Sequence, residues 1–307
     1  MAEPLFKSAS RPCASNPGPS DPGAAAHREL SQALLLQTVT VLPLPAVALR
    51  VVNMSEDTAD AAQLAGLVQK DAGLAAQIVK VANSALYARR NPVTSLQQAI
   101  SWLGIGEVRK LAVSCAVRAQ FAGKNTARAL APVWCESLAT ACFSQEIARL
   151  RRRAVEPAYL AGLLHRSGYA ALLQLLARKE STVAVLAANT TLTALAAEFE
   201  APLAHSLIKD WDLPDSIAVA LRYWRAPQDT PALQLGKPLR LALLEVVLAR
   251  ALAAQLQNEA VLTENAAPPE LIDASASLAD ELGIYQDDLQ TLWGKRDLVI
   301  AAVASLQ

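Results

Sequence analysis

Glycine is scarce in this chain, at 12 of 307 residues, against a usual share of about 7%. Aromatic residues make up 5% and charged residues 18%. Charge of either sign is not in excess: 28 Lys and Arg face 28 Asp and Glu. No global positive field therefore exists to hold nucleic acid or an anionic membrane, and only a local patch could do so. Long hydrophobic runs are also missing. Stretches such as Leu239–Leu248 meet charges well before the ~18 residues that a membrane span needs.

The N-terminus, Met1-Ala2-Glu3-Pro4, has no basic region followed by an apolar one, so no signal peptide is expected. The four cysteines, Cys13, Cys115, Cys135 and Cys142, form no Cys-x-x-Cys. Three of them lie in apolar helical patterns, where a free Cys acts as a small hydrophobe. These features predict a reducing, cytoplasmic location.

What the chain does have is apolar material, 53% of its residues, supplied mostly by Ala and Leu. These are the strongest apolar helix formers, so the expected fold class is all-α. Residues 1–28 are rich in Pro, Ser, Ala and Gly, carry no periodic apolar face and read as a disordered tail. From Glu29 onward the period is helical: Val108, Leu111, Ala112, Cys115 and Ala116 fall on one helix face.

The pattern predicts helices over 96–103, 107–121, 131–150, 157–177, 190–199, 202–210 and 214–224. Pro132 and Pro157 are placed near helix starts. Thr38-Val39-Thr40-Val41 alone looks β-like. A proline-rich connector, Pro227–Pro238, precedes an apolar helix at Leu239–Leu256 and two or three short helices. The domain reading is a tail at 1–28, a helical domain at 29–236 and a C-terminal helical extension at 237–307, packed on the domain.

Phosphate-binding loops are missing. Leu103-Gly104-Ile105-Gly106 offers Gly-x-Gly, but Arg109 occupies the third glycine's place and no strand precedes it. There is no Walker A run and no Gly-x-Ser-x-Gly elbow. Only three histidines occur, His27, His165 and His205, so a histidine-based metal site or triad has few residues to draw on. The sharpest local feature is Ala161-Gly162-Leu163-Leu164-His165-Arg166-Ser167-Gly168. Arg149, Arg151, Arg152 and Arg153 crowd one helix end, where cations complement the helix dipole. A phosphate-binding patch is the alternative use of that cluster. Asn83-Ser84 reads as a helix terminator acting through local side-chain bonds.

Several motifs stand in series. They are Leu42-Pro43-Leu44-Pro45-Ala46, Asp71-Ala72-Gly73-Leu74, Val81-Ala82-Asn83-Ser84-Ala85, Ser95-Leu96 with Ala99-Ile100 and Leu103-Gly104, Trp134 with Ser137, Ala161–His165, and Trp211-Asp212-Leu213-Pro214. In this order the chain resembles the HDOD (HD-related output domain) family, a degenerate branch of the HD-type metal phosphohydrolases. The resemblance implies an all-helical HD-like bundle with a regulatory role in bacterial signalling. It also implies protein partners, including sensory or cyclic-dinucleotide modules. No receiver, kinase or cyclase pattern is visible, so the input is expected from another protein.

Active relatives in the wider superfamily hold a divalent metal through a His, a His-Asp pair and a later Asp, and generate hydroxide for phosphoester attack. The resemblance places Glu136 at the first His. It keeps His165, replaces its Asp partner by Arg166, and aligns Glu200 with a further His, with His205 nearby. Trp224-Arg225 stands where many relatives have His-His, and Glu245 falls at the late Asp. Arg166 exchanges a bridging carboxylate for a permanent cation. At about 4 Å and an effective dielectric of about 20, each unit-charge pair is worth about 4 kcal/mol.

Three uses of this vestigial site stay open: a core ion pair of Glu136 with Arg166, a pocket in which Arg166 holds an anion, and an unconventional metal site from Glu136, His165 and Glu245. The leading expectation is a non-catalytic signalling module with no catalytic residues, bound metal or cofactor, acting on a protein partner, with neither membrane nor nucleic acid as its target. The alternative is a metal-dependent phosphohydrolase acting on a nucleotide or phosphoester.

Overall fold

The computed structural model describes residues 26–28, 30–32, 49–51, 61–84, 86–87, 91–121, 126–177, 189–229, 236–256 and 269–306. Among the described residues there are helices and no strands. The first four helices are α1 (Ala61–Val68), α2 (Ala72–Ala82), α3 (Leu96–Leu103) and α4 (Ile105–Phe121). The central group is α5 (Ala127–Leu150), α6 (Val155–Leu164), α7 (Ser167–Ala177), α8 (Asn189–Trp211) and α9 (Asp215–Tyr223). After a 3-10 turn at Pro227–Asp229 come α10 (Lys237–Gln255), α11 (Pro269–Leu282), α12 (Gln286–Trp293) and α13 (Arg296–Ser305).

Several motif residues turn out to be helix punctuation. Asp71 caps α2 by accepting from the Leu74 amide at 3.0 Å. Ser95 caps α3 through the Gln98 amide at 3.2 Å. Each satisfies one of the donors that a helix start leaves bare. Asn83 ends α2, as its sequence neighbourhood suggests, and reaches further. Its amide donates to the carbonyls of Val79 and Val93, while its oxygen accepts from the Val93 amide at 2.7 Å. One side chain thus ties Val93 to the end of α2.

The long helix α5 is the spine. Leu130, Trp134, Leu138 and Ala141 turn into the main core, with residues of α1–α4 and α6–α9. Ala139, Phe143 and Ile147 turn into a second core shared with Leu244 and Leu248 of α10 and with Leu289, Trp293 and Val299 of α12 and α13. The extension expected at 237–307 therefore packs on the bundle, but residue 237 does not mark a seam. α10 contacts α5, α6 and α9 directly, and its Val246 belongs to the main core.

Other boundaries differ from the sequence pattern. Pro132 lies inside α5, which begins at Ala127, and Pro202 lies inside a single helix that joins the two predicted at 190–199 and 202–210. Both prolines are exposed, so the carbonyls they leave unbonded can face water. The helix predicted over 157–177 is broken at His165-Arg166, between α6 and α7. The last residues of the segment read as a tail are ordered. Residues 26–28 are helical, Ala26 is buried, and His27 bonds Glu198 at 2.9 Å and sits edge-on to Phe199. Residues 1–25, the Thr38–Val41 segment and the Leu42–Pro45 motif lie outside the described residues.

Candidate functional site

Two close helix approaches build the site, and glycine permits both. A Cβ on Gly162 of α6 would stand 2.7 Å from the Ala141 Cα of α5. A Cβ on Gly168 of α7 would stand 2.2 Å from the Glu200 carbonyl oxygen of α8. The turn between these glycines carries His165 and Arg166, which bare backbone contact therefore draws close to Glu136 on α5 and Glu200 on α8.

Arg166 bridges the two carboxylates. Its Nη1 donates to Glu136 Oε2 at 2.9 Å and its Nε to Glu200 Oε1 at 3.1 Å. The remaining oxygens are also taken. Arg250 of α10 donates to Glu136 Oε1 at 3.0 Å, and Arg225, just after α9, donates to Glu200 Oε2 at 2.7 Å. Three guanidiniums thus meet two carboxylates, and all four carboxylate oxygens accept charge-assisted bonds. Burial pushes the Glu200 carboxyl up from its ordinary value, against the downward pull of Arg166 and Arg225.

Trp224 is the hub around which these cations gather. The guanidinium carbons of Arg166, Arg225 and Arg250 lie 5.1, 4.9 and 4.7 Å from its ring centroid. These are cation–π distances. Arg166 also stacks on Tyr169 at 4.6 Å. His165 meets Trp224 edge-on, with centroids 5.1 Å apart and an interplanar angle of 86°.

His165 is fully buried. Its Nδ1 lies 2.6 Å from the Gly162 carbonyl, so Nδ1 carries the proton and Nε2 is left as a bare lone pair with no hydrogen-bond partner. Burial holds its pKa down at about 3, assisted by the nearby charges of Arg166 and Arg250 and opposed by the Gly162 bond. His165 is therefore a neutral imidazole at ordinary pH.

The structure brings together Glu136, His165, Arg166 and Glu200 and gives Glu245 a different task. Glu245 pairs with Arg151 Nη1 and, at 3.9 Å, with Arg153 Nε, while Arg151 Nε donates to the Leu282 carbonyl of α11 at 2.9 Å. Among the described residues it shares no partner with the Arg166 network. Glu245 and Arg250 are five residues apart on α10, about 140° around the helix, so one of them can face the network but not both. The expected place of Glu245 in the vestigial site is corrected accordingly: it ties α10 to the end of α5. Burial raises its carboxyl pKa, countered by Arg151 and Arg153.

The same pairs account for most of the arginine cluster at 149–153, since Arg149 bonds Glu146 and Arg151 and Arg153 share Glu245. His205 stands apart, with its pKa lowered by burial and by the charges of Arg222 and Lys209. Sequence reasoning did not single out Arg250, which lies 114 residues from its partner Glu136. In the sequence, Trp224 and Arg225 stand out only through the resemblance, at the place of a histidine pair.

A divalent metal does not fit these residues. Both carboxylates are saturated by guanidinium donors, and the one spare lone pair, His165 Nε2, has cations of Arg166 and Arg250 as neighbours. Among the described residues no three His, Cys, Asp or Glu side chains are placed to hold a metal ion.

The fold and site define an HD-like helical bundle with a buried ion network at the turn between α6 and α7. The HDOD domain model matches residues 41–227, well over half of the chain. The chain belongs to the HDOD family. Arg250 and helices α10–α13 lie outside the matched span.

Among solved structures, an HDOD domain protein of unknown function from Geobacter sulfurreducens is 21% identical, with TM-score 0.65 over 92% of this chain and 99% of its own. A Shewanella amazonensis protein, provisionally named a metal-dependent phosphohydrolase, is 22% identical, with TM-score 0.65 over 92% of this chain and 100% of its own. A Marinobacter aquaeolei protein, provisionally named a signal transduction protein, is 23% identical, with TM-score 0.61 over 94% of this chain and 67% of its own. At these identities the likeness is one of fold. No curated protein matches the chain. No described helix is long and apolar enough to cross a membrane.

Proposed function

We propose that this protein is a non-catalytic regulatory module of bacterial signal transduction, working in the cytoplasm by binding a protein partner. The observation that supports this is the arginine network itself. Where an HD-type hydrolase needs a His, an Asp and open coordination positions, this chain supplies Glu136 and Glu200 held by Arg166, Arg225 and Arg250. Such a cluster fixes the relative placement of α5, α8, α9 and α10. Its carboxylates are engaged by arginines rather than arranged around a metal ion. The site works as a lock on the bundle, and partner recognition falls to the surface around it. Sensory or cyclic-dinucleotide proteins are the partner class that the family's signalling role suggests.

The test is metal analysis of the purified protein by plasma mass spectrometry, coupled to turnover of bis(p-nitrophenyl) phosphate with added Mn, Fe or Mg. The expected result is no stoichiometric metal and no turnover above the uncatalysed rate. Stoichiometric metal together with turnover abolished by Glu136→Gln would replace this reading with that of a phosphohydrolase.

A further inference from the structure

A cavity of about 220 Å³ opens between the bundle and α13, and none of its lining residues belongs to the ion network. One wall is apolar, with Leu111 from α4 facing Val299 and Ala302 from α13. The other wall is polar, and its acids are already committed. Glu107 accepts from the Tyr87 hydroxyl and pairs with Lys110, which also bonds Gln145. Glu146 pairs with Arg149 and accepts from Gln145 at 3.3 Å.

Lys295, which also lines the cavity, is half-buried and has no acidic partner among the described residues. The lining acids are both engaged, Glu107 by Lys110 from behind the wall and Glu146 by Arg149, which leaves Lys295 as the lining cation that no described acid pairs with. Burial keeps the other ionisable neighbours neutral: the Cys142 thiol is pushed up to about 12, and the Tyr159 phenol rises well above its ordinary value. A concavity with one apolar wall and a few placed polar groups is the general form of a small-ligand site, and the unengaged Lys295 selects the ligand's sign.

We infer that this cavity binds a small organic monoanion, a carboxylate on a compact apolar body, with the carboxylate at Lys295 and the body between Leu111 and Val299. Occupancy would fasten α13 to α4 and α5. The Leu306 carbonyl, just beyond α13, already accepts from Trp134 Nε1 at 3.5 Å. The site is independent of the ion network, so its failure would leave the proposed function untouched.

The experiment is calorimetric titration of the full chain with phenylacetate and with hexanoate, each set against its uncharged amide. Saturable binding of at least one carboxylate is expected, with its amide about tenfold weaker or worse, equivalent to about 1.4 kcal/mol. Lys295→Met should erase the preference for carboxylate over amide. Ala302→Phe, which fills the cavity, should remove binding of both. Should Ala302→Phe fail to fold, the Lys295→Met comparison decides alone. Absence of saturable binding by both carboxylates, or Lys295→Met binding them as tightly as the native chain, would overturn the inference.

Discussion

Arg166 Nη1 sits 2.9 Å from Glu136 Oε2, and neither side chain is more than 13% exposed. Breaking an isolated buried ion pair costs about 3–5 kcal/mol, because the survivor keeps its desolvation penalty without its partner. Here each carboxylate retains a second guanidinium, from Arg250 or Arg225. Arg166→Met is therefore expected at the low end, about 3 kcal/mol, in urea unfolding. Adding Glu136→Leu should cost less than the two single changes summed, since the pair is directly coupled. Strict additivity would show that the pair does not act as a unit.

Arg166→Asp tests the ancestry of the site. It recreates a His-Asp dipeptide at 165–166 but sets a third carboxylate beside Glu136 and Glu200, with Arg225 and Arg250 left to balance all three. The expected outcome is a larger loss of stability than Arg166→Met shows, with no efficient phosphodiester turnover. A variant that melts as high as the native chain and binds stoichiometric metal would contradict this account.

Gly168→Ala should cost about 1–3 kcal/mol as an overpacking change, because its Cβ would fall 2.2 Å from the Glu200 carbonyl oxygen. Gly66→Ala, inside α1 with nothing within 4 Å of its Cβ, should instead stabilise by about 0.5–1 kcal/mol. Opposite signs in thermal melts would distinguish close approach from glycine content as such.

His165 titrates near 6.5 when unfolded and near 3 when folded. Between those values the unfolded chain binds more protons, so the His165 contribution is complete above about pH 6.5 and is lost as pH falls towards about 3. The limiting slope is about 1.4 kcal/mol per pH unit. Comparison of native and His165→Leu chains by urea unfolding from pH 7 down to pH 5 isolates this effect from the carboxylates. The variant should lose stability less steeply on acidification. Parallel curves would mean that His165 is protonated in the folded state.

Trp293 is fully buried in the second core. Trp293→Ala is expected to cost about 3–5 kcal/mol. Removing residues 269–307 would strip the cover from Phe143 and Ile147 of α5 and from Leu248 and Leu252 of α10, and the shortened chain should aggregate. Recovery of a soluble monomer with native melting behaviour would show that α11–α13 form a separate unit.

Features that depend on neighbours a few residues apart were legible in the sequence. α3 runs over 96–103 as its apolar spacing and flanking Ser95 and Gly104 require, and the helix at 239–256 appears at Lys237–Gln255. The all-α class follows from Ala and Leu content in the same way. Local signals misled where packing overrode them. Proline costs a helix interior about 3 kcal/mol, but α8 carries Pro202 on an exposed side and buries Phe199, Leu203 and Leu207 on another.

The site divides along the same line. The sequence singles out Glu136, Arg166 and Glu200 through the resemblance of the motifs around them, and the structure brings the three together. What those residues do was decided only by tertiary structure. Arg250 reaches Glu136 across 114 residues, and helical phase on α10 turns Glu245 towards Arg151 instead. No periodicity encodes such pairings. They follow from how α10 packs against α5, and a helix's apolar spacing fixes which face it buries but not which distant charge it will meet.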